Sequence, residues 1–145
     1  MKRKIIGIFV CLMCIAISVY SLNASADSKP KLRVGVFGAS IFALRQTGGI
    51  IWNDGVDTIQ DVQYTFTIRG GKDNSINLTI SGEAGDGDIE VNQVYSIPTN
   101  MAKGFGPVTL TMTATSSNAD EATATSKGFQ IGPYTISKTY FMAWF

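Results

Sequence analysis

The stretch Val108–Thr115, with the sequence VTLTMTAT, alternates strictly between apolar residues and threonine. Because successive side chains of a β-strand point to opposite faces, this period of two gives a strand one apolar face and one polar face. An α-helix has a period of 3.6 and would spread the same residues around its whole surface. The alternation therefore predicts a strand whose apolar face lies on a core and whose threonines face water.

The same alternation recurs along the chain, in VQYTFTI at residues 62–68 and in SINLTIS at residues 75–81. Turn signals such as Gly70-Gly71 separate the alternating runs. Further strands are predicted at Leu32–Val36, Ile50–Asn53, Ile89–Ile97, Ala122–Ile131 and Tyr134–Phe145. The predicted fold class is all-β, an antiparallel β-sandwich of about 7–9 strands after an N-terminal signal helix.

The first 26 residues have a different composition from the rest of the chain. Three cations, Lys2, Arg3 and Lys4, precede an apolar run at residues 5–20, and Ala24-Ser25-Ala26 follows with the small residues of a cleavage site. This order is typical of a secretory signal peptide, so we predict a signal at 1–26 and one domain at 27–145. The alternative is an uncleaved anchor, which would be the only membrane contact, although the apolar run is short for a span of about 20 residues. We expect a secreted or cell-surface protein.

Two missing residue types exclude much of the common catalytic chemistry. The chain has no histidine, and its two cysteines, Cys11 and Cys14, both lie in the predicted signal. Catalytic triads need imidazole to transfer the proton, and zinc sites need His or Cys ligands. After the signal, nine scattered cations face 11 acidic residues, so no basic stripe is present for nucleic acid. We expect neither catalysis nor a nucleic-acid partner.

The segment GEAGDGDIE at residues 82–90 carries the best candidate metal ligands, which are Glu83, Asp86, Asp88 and Glu90. Carboxylate oxygens suit calcium, which would be the cofactor here if the protein has one. The alternative is a polar hairpin loop in which Asp and Gly serve the turn. A third reading is a glycan-active enzyme, which would need two of these carboxylates about 5–10 Å apart.

Two further features suggest contacts outside the cell. Asn77-Leu78-Thr79 is an N-glycosylation sequon, and Asn77 alternates with two apolar neighbours, so its side chain should face solvent. The chain ends in KTYFMAWF, whose two faces are both apolar. This predicts either a final core strand or a partner surface that includes Phe141, Trp144 and Phe145. An alternating strand that ends in Phe also leaves a small eight-stranded outer-membrane barrel as an alternative.

Two similar phrases occur in the chain, KGFGP at residues 103–107 and KGFQIGP at residues 127–133. The residues that precede them do not align, which argues against a repeated module. Glycine allows turn conformations and proline cannot donate to a strand ladder. We therefore interpret both phrases as turns at strand boundaries, and we expect Phe105 and Phe129 to pack into the core.

The order of these motifs resembles the immunoglobulin-like, CARDB-like modules of archaeal and bacterial secreted and cell-surface proteins. The resemblance covers roughly residues 50–136 and implies a sandwich used for display or adhesion, with a protein or glycan partner at the cell surface. It carries over no catalytic residue. The matching pieces are Asn53-Asp54-Gly55, Gly70-Gly71, Gly104-Phe105-Gly106, Val108–Thr115 and the closing segment 128–133.

Overall fold

A computed structural model of the protein describes residues 29–38, 47–99 and 102–137. Within these ranges the chain forms eight strands and one 3₁₀ turn at Lys72–Asn74. The strands are β1 (Leu32–Phe37), β2 (Thr47–Asn53), β3 (Gln63–Gly70), β4 (Ile76–Glu83), β5 (Val94–Thr99), β6 (Gly104–Thr115), β7 (Ala122–Gly132) and β8 (Tyr134–Ser137). The predicted all-β class is confirmed.

The strands form two antiparallel sheets that pack face to face. One sheet has the order β1-β2-β5 and the other has the order β4-β3-β6-β7-β8, and in the described ranges neither sheet closes on itself. A Cβ atom at Gly49 on β2 would lie 2.8 Å from the Sδ atom of Met112 on β6. Glycine at this position therefore lets the two sheets approach closely across their common core, which is the β-sandwich arrangement.

The alternation determines which side chains enter the core. Leu110 and Phe66 are fully buried, whereas Thr111, the neighbour of Leu110, lies on the opposite, partly exposed face. The buried side chains of β6 are those of Val108, Leu110, Met112 and Ala114. The apolar positions of the alternating run are thus the core positions, as the period of two predicts.

The outer face of the five-stranded sheet carries rows of hydroxyl groups. The strand register places Ser81, Thr65, Thr113 and Thr123 in one row, and Thr79, Thr67, Thr111 and Thr125 in the next. Within the first row, the Oγ atoms of Thr65 and Ser81 are 3.0 Å apart, and those of Thr113 and Thr123 are 3.2 Å apart. Such cross-strand pairs stabilise a sheet without needing burial.

The predicted strand at Ile89–Ile97 is wrong in its first half. Ile89 forms only an isolated bridge with Ile59, and the strand begins at Val94. Between them, the amide of Gln93 donates to the carbonyl of Glu90 in a turn, and Asn92 has a φ of 63°. A left-handed residue of this kind cannot continue a strand.

Two predicted segments lie outside the described residues: the signal at 1–26, and the end of the last predicted strand after Ser137. In the part of the chain that the structure describes, no helix has the length and apolar character needed to cross a membrane.

Alanine substitution of two neighbouring residues on β6 tests which face of the strand is buried. Leu110→Ala should lower the free energy of unfolding by about 2–5 kcal/mol because it removes fully buried methyl groups. Thr111→Ala should cost less than about 1 kcal/mol because its face is solvated. Denaturant unfolding of residues 27–145, which contain every buried core residue of the described ranges, measures both changes. Losses of equal size would contradict the assignment of the faces.

Candidate functional site

The two phrases KGFGP and KGFQIGP pair with each other in the structure. In the register of β6 with β7, Gly104 lies opposite Gly132, Phe105 opposite Ile131 and Pro107 opposite Phe129. The first phrase is therefore part of a strand, and the prediction that it precedes the strand is wrong. The second phrase does end at a turn, because Gly132, with a φ of 60°, and Pro133 connect β7 to β8.

Pro107 is tolerated inside β6 because of the direction in which its backbone points. Its carbonyl accepts a hydrogen bond of 2.7 Å from the amide of Gly71. In an antiparallel strand the nitrogen and the carbonyl of one residue point to the same side. The nitrogen of Pro107 therefore faces the side on which β3 has already ended at Gly70, so its missing N–H removes no ladder bond.

Phe105 and Phe129 lie on the outer face of the five-stranded sheet, and the prediction that they enter the core is wrong. Their exposed fractions are 61% and 38%. The two rings meet edge to face with centroids 5.1 Å apart. The register explains this placement. Along β6 and β7 every second residue faces outward, and Phe105 and Phe129 occupy the same alternate positions as the outward threonines, whereas Val108 occupies a core-facing position.

Around the two rings lies a continuous apolar surface. Ile131 and Tyr134 are opposite each other in register and are 47% and 44% exposed. We call the set the apolar cluster; its members are Phe105, Pro107, Phe129, Ile131, Tyr134 and Ile136. Exposed apolar groups that are contiguous, rather than scattered, are typical of an interaction surface.

Four exposed cations border the apolar cluster. Arg69 and Lys127 flank Thr109 in the row next to Pro107 and Phe129. A shallow groove of about 410 Å³ lies between these two cations. Lys103 directly precedes β6, and the backbone of Lys72 lies beside Gly106. Within the described ranges, the salt bridges join Lys31 and Arg33 to Asp54, so the four cations of the cluster have no carboxylate partner there.

The acidic residues gather at the opposite end of the sandwich. β3 begins at Gln63, next to Glu83, and ends at Gly70, next to the cations. We call the end of the sandwich at Gln63 the acidic end and the end at Gly70 the basic end. The acidic residues of the acidic end are Asp54, Asp57, Asp61, Glu83, Asp86, Asp88, Glu90, Asp120 and Glu121. Of the acidic residues in the described ranges, only Asp73 lies at the basic end. Lys29, Lys31 and Arg33 also lie at the acidic end, beside Asp54, so the two ends differ in net charge although each carries both signs.

The candidate calcium ligands do not form a cluster. Glu83 ends β4, whereas Asp86 and Asp88 lie in the following loop with glycines of positive φ. Asp88 accepts a hydrogen bond of 3.3 Å from the amide of Asp61, which is a loop contact. No three acidic side chains of the described residues are placed to hold a metal ion. The described residues thus offer calcium no cluster of three carboxylates.

The remaining predicted site residues have different outcomes. Asn77 is exposed on β4, an edge strand, opposite Arg69, so the predicted outward orientation is confirmed. Phe141, Trp144 and Phe145 lie outside the described residues. The exposed apolar surface of the described residues is therefore a different one. Its sequence signal is the spacing of Phe105 from Val108 on β6: Phe105 lies three positions before Val108, so their side chains lie on opposite faces of the strand.

Tyr64 on β3 lies next to Tyr95 on β5, with ring centroids 6.3 Å apart. Burial, and to a smaller extent the charge of Tyr95, raise the pKa of Tyr64 above its ordinary value of 10.0.

Gln130 supports the apolar cluster from behind. Its side chain is fully buried, and its Nε2 atom donates to the carbonyls of Ala102 and Gly132, each at 2.9 Å. Its Oε1 atom accepts from the hydroxyl of Thr135. One side chain thus connects the start of β6, the turn after β7 and the edge strand β8. In the sequence, the signal for this contact is a glutamine at a position of β7 whose side chain faces the core.

Comparisons of the chain with protein-family models, curated proteins and solved structures gave no match. The apolar cluster and the charge separation therefore carry the functional argument.

Gln130→Leu tests whether this side chain holds the cluster together. The substitution keeps the volume but leaves buried groups of Ala102 and Thr135 without a partner, each at a cost of about 1–3 kcal/mol. We expect thermal unfolding at a lower temperature and a loss of amide protection in β8. Gln63→Leu, at an exposed position on β3, is the matched control and should change neither measurement. Unchanged protection in Gln130→Leu would contradict this supporting role.

Proposed function

We propose that this protein is exported and acts at the cell surface as a binding, adhesive or structural β-sandwich without catalytic activity. The signal-like composition of residues 1–26 supports export. The motif order that resembles CARDB-like modules supports a role in display or adhesion, with a protein or glycan as partner.

The observation that carries the proposal is the exposure of the apolar cluster. Phe105 alone is 61% exposed, although burial of a phenylalanine is worth about 1.5–3 kcal/mol relative to leaving it exposed. Large aromatic side chains such as Phe129 and Tyr134 are the residues that dominate binding energies at protein interfaces. A surface that keeps such residues together in water, next to cations with no carboxylate partner among the described residues, is suited to binding.

The chemistry of the described residues supports binding rather than catalysis. No three of the described carboxylates are grouped to hold a metal ion, and the chain has no histidine to transfer protons. The larger groove at the acidic end, about 700 Å³, is lined by Lys29, Lys31, Asp54 and Asp120 among others. Charges of both signs line it, and Lys31 is paired with Asp54.

Surface binding can be tested with labelled protein and intact cells of the source organism. Residues 27–145 should bind the cells, and Phe105→Ser with Phe129→Ser should weaken binding at least about tenfold because apolar contact area is lost. Thr111→Ser with Thr125→Ser, on the same sheet face outside the cluster, is the matched control. Equal binding by both double variants would exclude the apolar cluster as the binding surface.

The sequon gives an independent test of export. If the exported chain meets an N-glycosylation system, the exposed Asn77 should carry a glycan. Asn77→Gln and Thr79→Ala should then both remove the same mass from the intact protein in mass spectra. Protein recovered from the outside of cells that glycosylate other sequons, yet unmodified at Asn77, would contradict this prediction.

A further inference from the structure

Exposed cations lie on both sides of the apolar cluster. The cluster fills two successive rows of the outer sheet face, across β6, β7 and β8. The next row contains Arg69, Thr109 and Lys127. Lys127 is two residues from Phe129 on β7, so their Cα atoms are about 7 Å apart. On the far side of the cluster, exposed Lys103 directly precedes β6.

The charge of this border is almost entirely of one sign. Arg69, Lys72, Lys103 and Lys127 are all exposed, and no salt bridge of the described residues involves them. Asp73 is the one acidic residue of the described ranges at this end. A protein partner would need an acidic group opposite each cation, around an apolar centre. An anionic bilayer offers negative charge over a whole plane and takes up apolar groups between its headgroups.

The backbone beneath the apolar cluster is suited to contact with an apolar environment. The carbonyls of Ala102 and Gly132 accept hydrogen bonds from the Nε2 atom of Gln130. Pro107 in β6 and Pro133 in the turn have no N–H group. Unpaired backbone groups are costly to remove from water, and these positions reduce their number. The cluster can therefore leave water at a lower cost than an ordinary strand end.

The groove between Arg69 and Lys127 has room for the phosphate of a lipid headgroup. Its volume is about 410 Å³, and Asn74, Pro107 and Thr109 also line it. Guanidinium and ammonium groups are strong donors to phosphate oxygens. Because the groove reaches Pro107, a bound phosphate would lie next to the apolar cluster, as the phosphate of a lipid lies next to its acyl chains.

We propose that the apolar cluster docks this domain on a membrane surface that contains anionic lipids. Phe105 and its apolar neighbours enter the boundary between headgroups and acyl chains, while Arg69 and Lys127 contact headgroup phosphates. Tyr134 suits this boundary because its ring is apolar and its hydroxyl is polar. The excess of acidic residues at the other end orients the domain, since an anionic surface repels that end. The inference rests on the proposed binding role of the apolar cluster and names its partner as lipid.

Flotation of residues 27–145 with lipid vesicles tests this docking. These residues contain every buried core residue of the described ranges and omit the apolar run at 5–20, which could bind lipid by itself. We expect binding to vesicles of phosphatidylcholine and phosphatidylglycerol in equal amounts. Binding to phosphatidylcholine alone should be at least about tenfold weaker. Binding to the anionic vesicles should also weaken in 1 M salt, where the screening length shrinks to about 3 Å.

Two charge variants separate the border of the cluster from the net charge of the domain. Arg69→Gln with Lys127→Gln should weaken binding to the anionic vesicles roughly thirtyfold, because two cations leave the lipid surface. Lys29→Gln with Lys31→Gln removes the same charge at the acidic end and should weaken binding less than about threefold. All four side chains are exposed, so both variants should keep the thermal unfolding of the unaltered chain.

A dye that reports on polarity distinguishes insertion from adsorption by charge. Residues 27–145 contain no cysteine, so one introduced cysteine can be labelled selectively. A dye on Ile131→Cys, within the cluster, should shift its emission to shorter wavelength when anionic vesicles are added. A dye on Thr123→Cys, on the same face of β7 at the acidic end, is the matched control and should not shift. Phe105→Ser with Phe129→Ser should weaken vesicle binding at least about tenfold.

Three results would overturn the proposal. The first is equal binding, or no binding, to the two kinds of vesicle, and the second is an equal effect of the two charge variants. The third is a dye at residue 123 that shifts as much as one at residue 131. Cluster-dependent binding to cells that protease treatment of the cells abolishes, without binding to vesicles, would indicate a protein partner. That result would reject lipid docking and leave the proposed function intact, whereas no binding to cells or vesicles would reject both.

Discussion

The antiparallel pairing of β6 with β7 is the interaction on which the rest of the structure depends. It joins 11 residue pairs, from Gly104 opposite Gly132 to Ala114 opposite Ala122. One face of this ribbon provides the core through Leu110 and its neighbours of the same parity, and the other face provides both the hydroxyl rows and the apolar cluster. Since the side-chain period of a strand is two, a slip of one residue would exchange the core with the solvated face.

The sequence predicted the fold class because its strongest signal, strict alternation, is a local property of each strand. It did not predict the apolar cluster, for two reasons. The glycines of KGFGP indicate a turn, although Gly104 and Gly106 adopt positive φ within β6 itself. The apolar character of Phe105 predicts a core position, whereas the register that extends from Val108 puts it on the outer face. Hydrophobicity favours burial in general, but the position of a residue in the alternation of a paired strand decides on which face of the sheet its side chain lies.

The acidic segment shows the opposite limit of sequence reasoning. The spacing of Glu83, Asp86 and Asp88 allowed a metal site or a turn, and only the backbone path separates these alternatives. Gly85 and Gly87 both take positive φ, and Asp88 is used as a hydrogen-bond acceptor for a neighbouring loop. Asp and Gly residues in such a loop serve the turn. Their effect is instead collective, because together they make one end of the domain acidic.

Charge separation and exposed apolar groups have a common origin in the strand topology. The hairpin turns at Gly70-Gly71 and Gly132-Pro133 lie at the basic end, and the longer loops around residues 54–62, 84–93 and 116–121 lie at the acidic end. Residues that are close in sequence therefore share an end, so local composition becomes a long-range electrostatic difference across the sandwich. The buried side chain of Gln130 fixes the backbone beneath the apolar cluster. The buried side chain of Asn53 likewise joins the loop at Asp57 to the segment at Ile89. In both places a buried amide satisfies main-chain carbonyls, and such satisfied networks hold the backbone in one conformation.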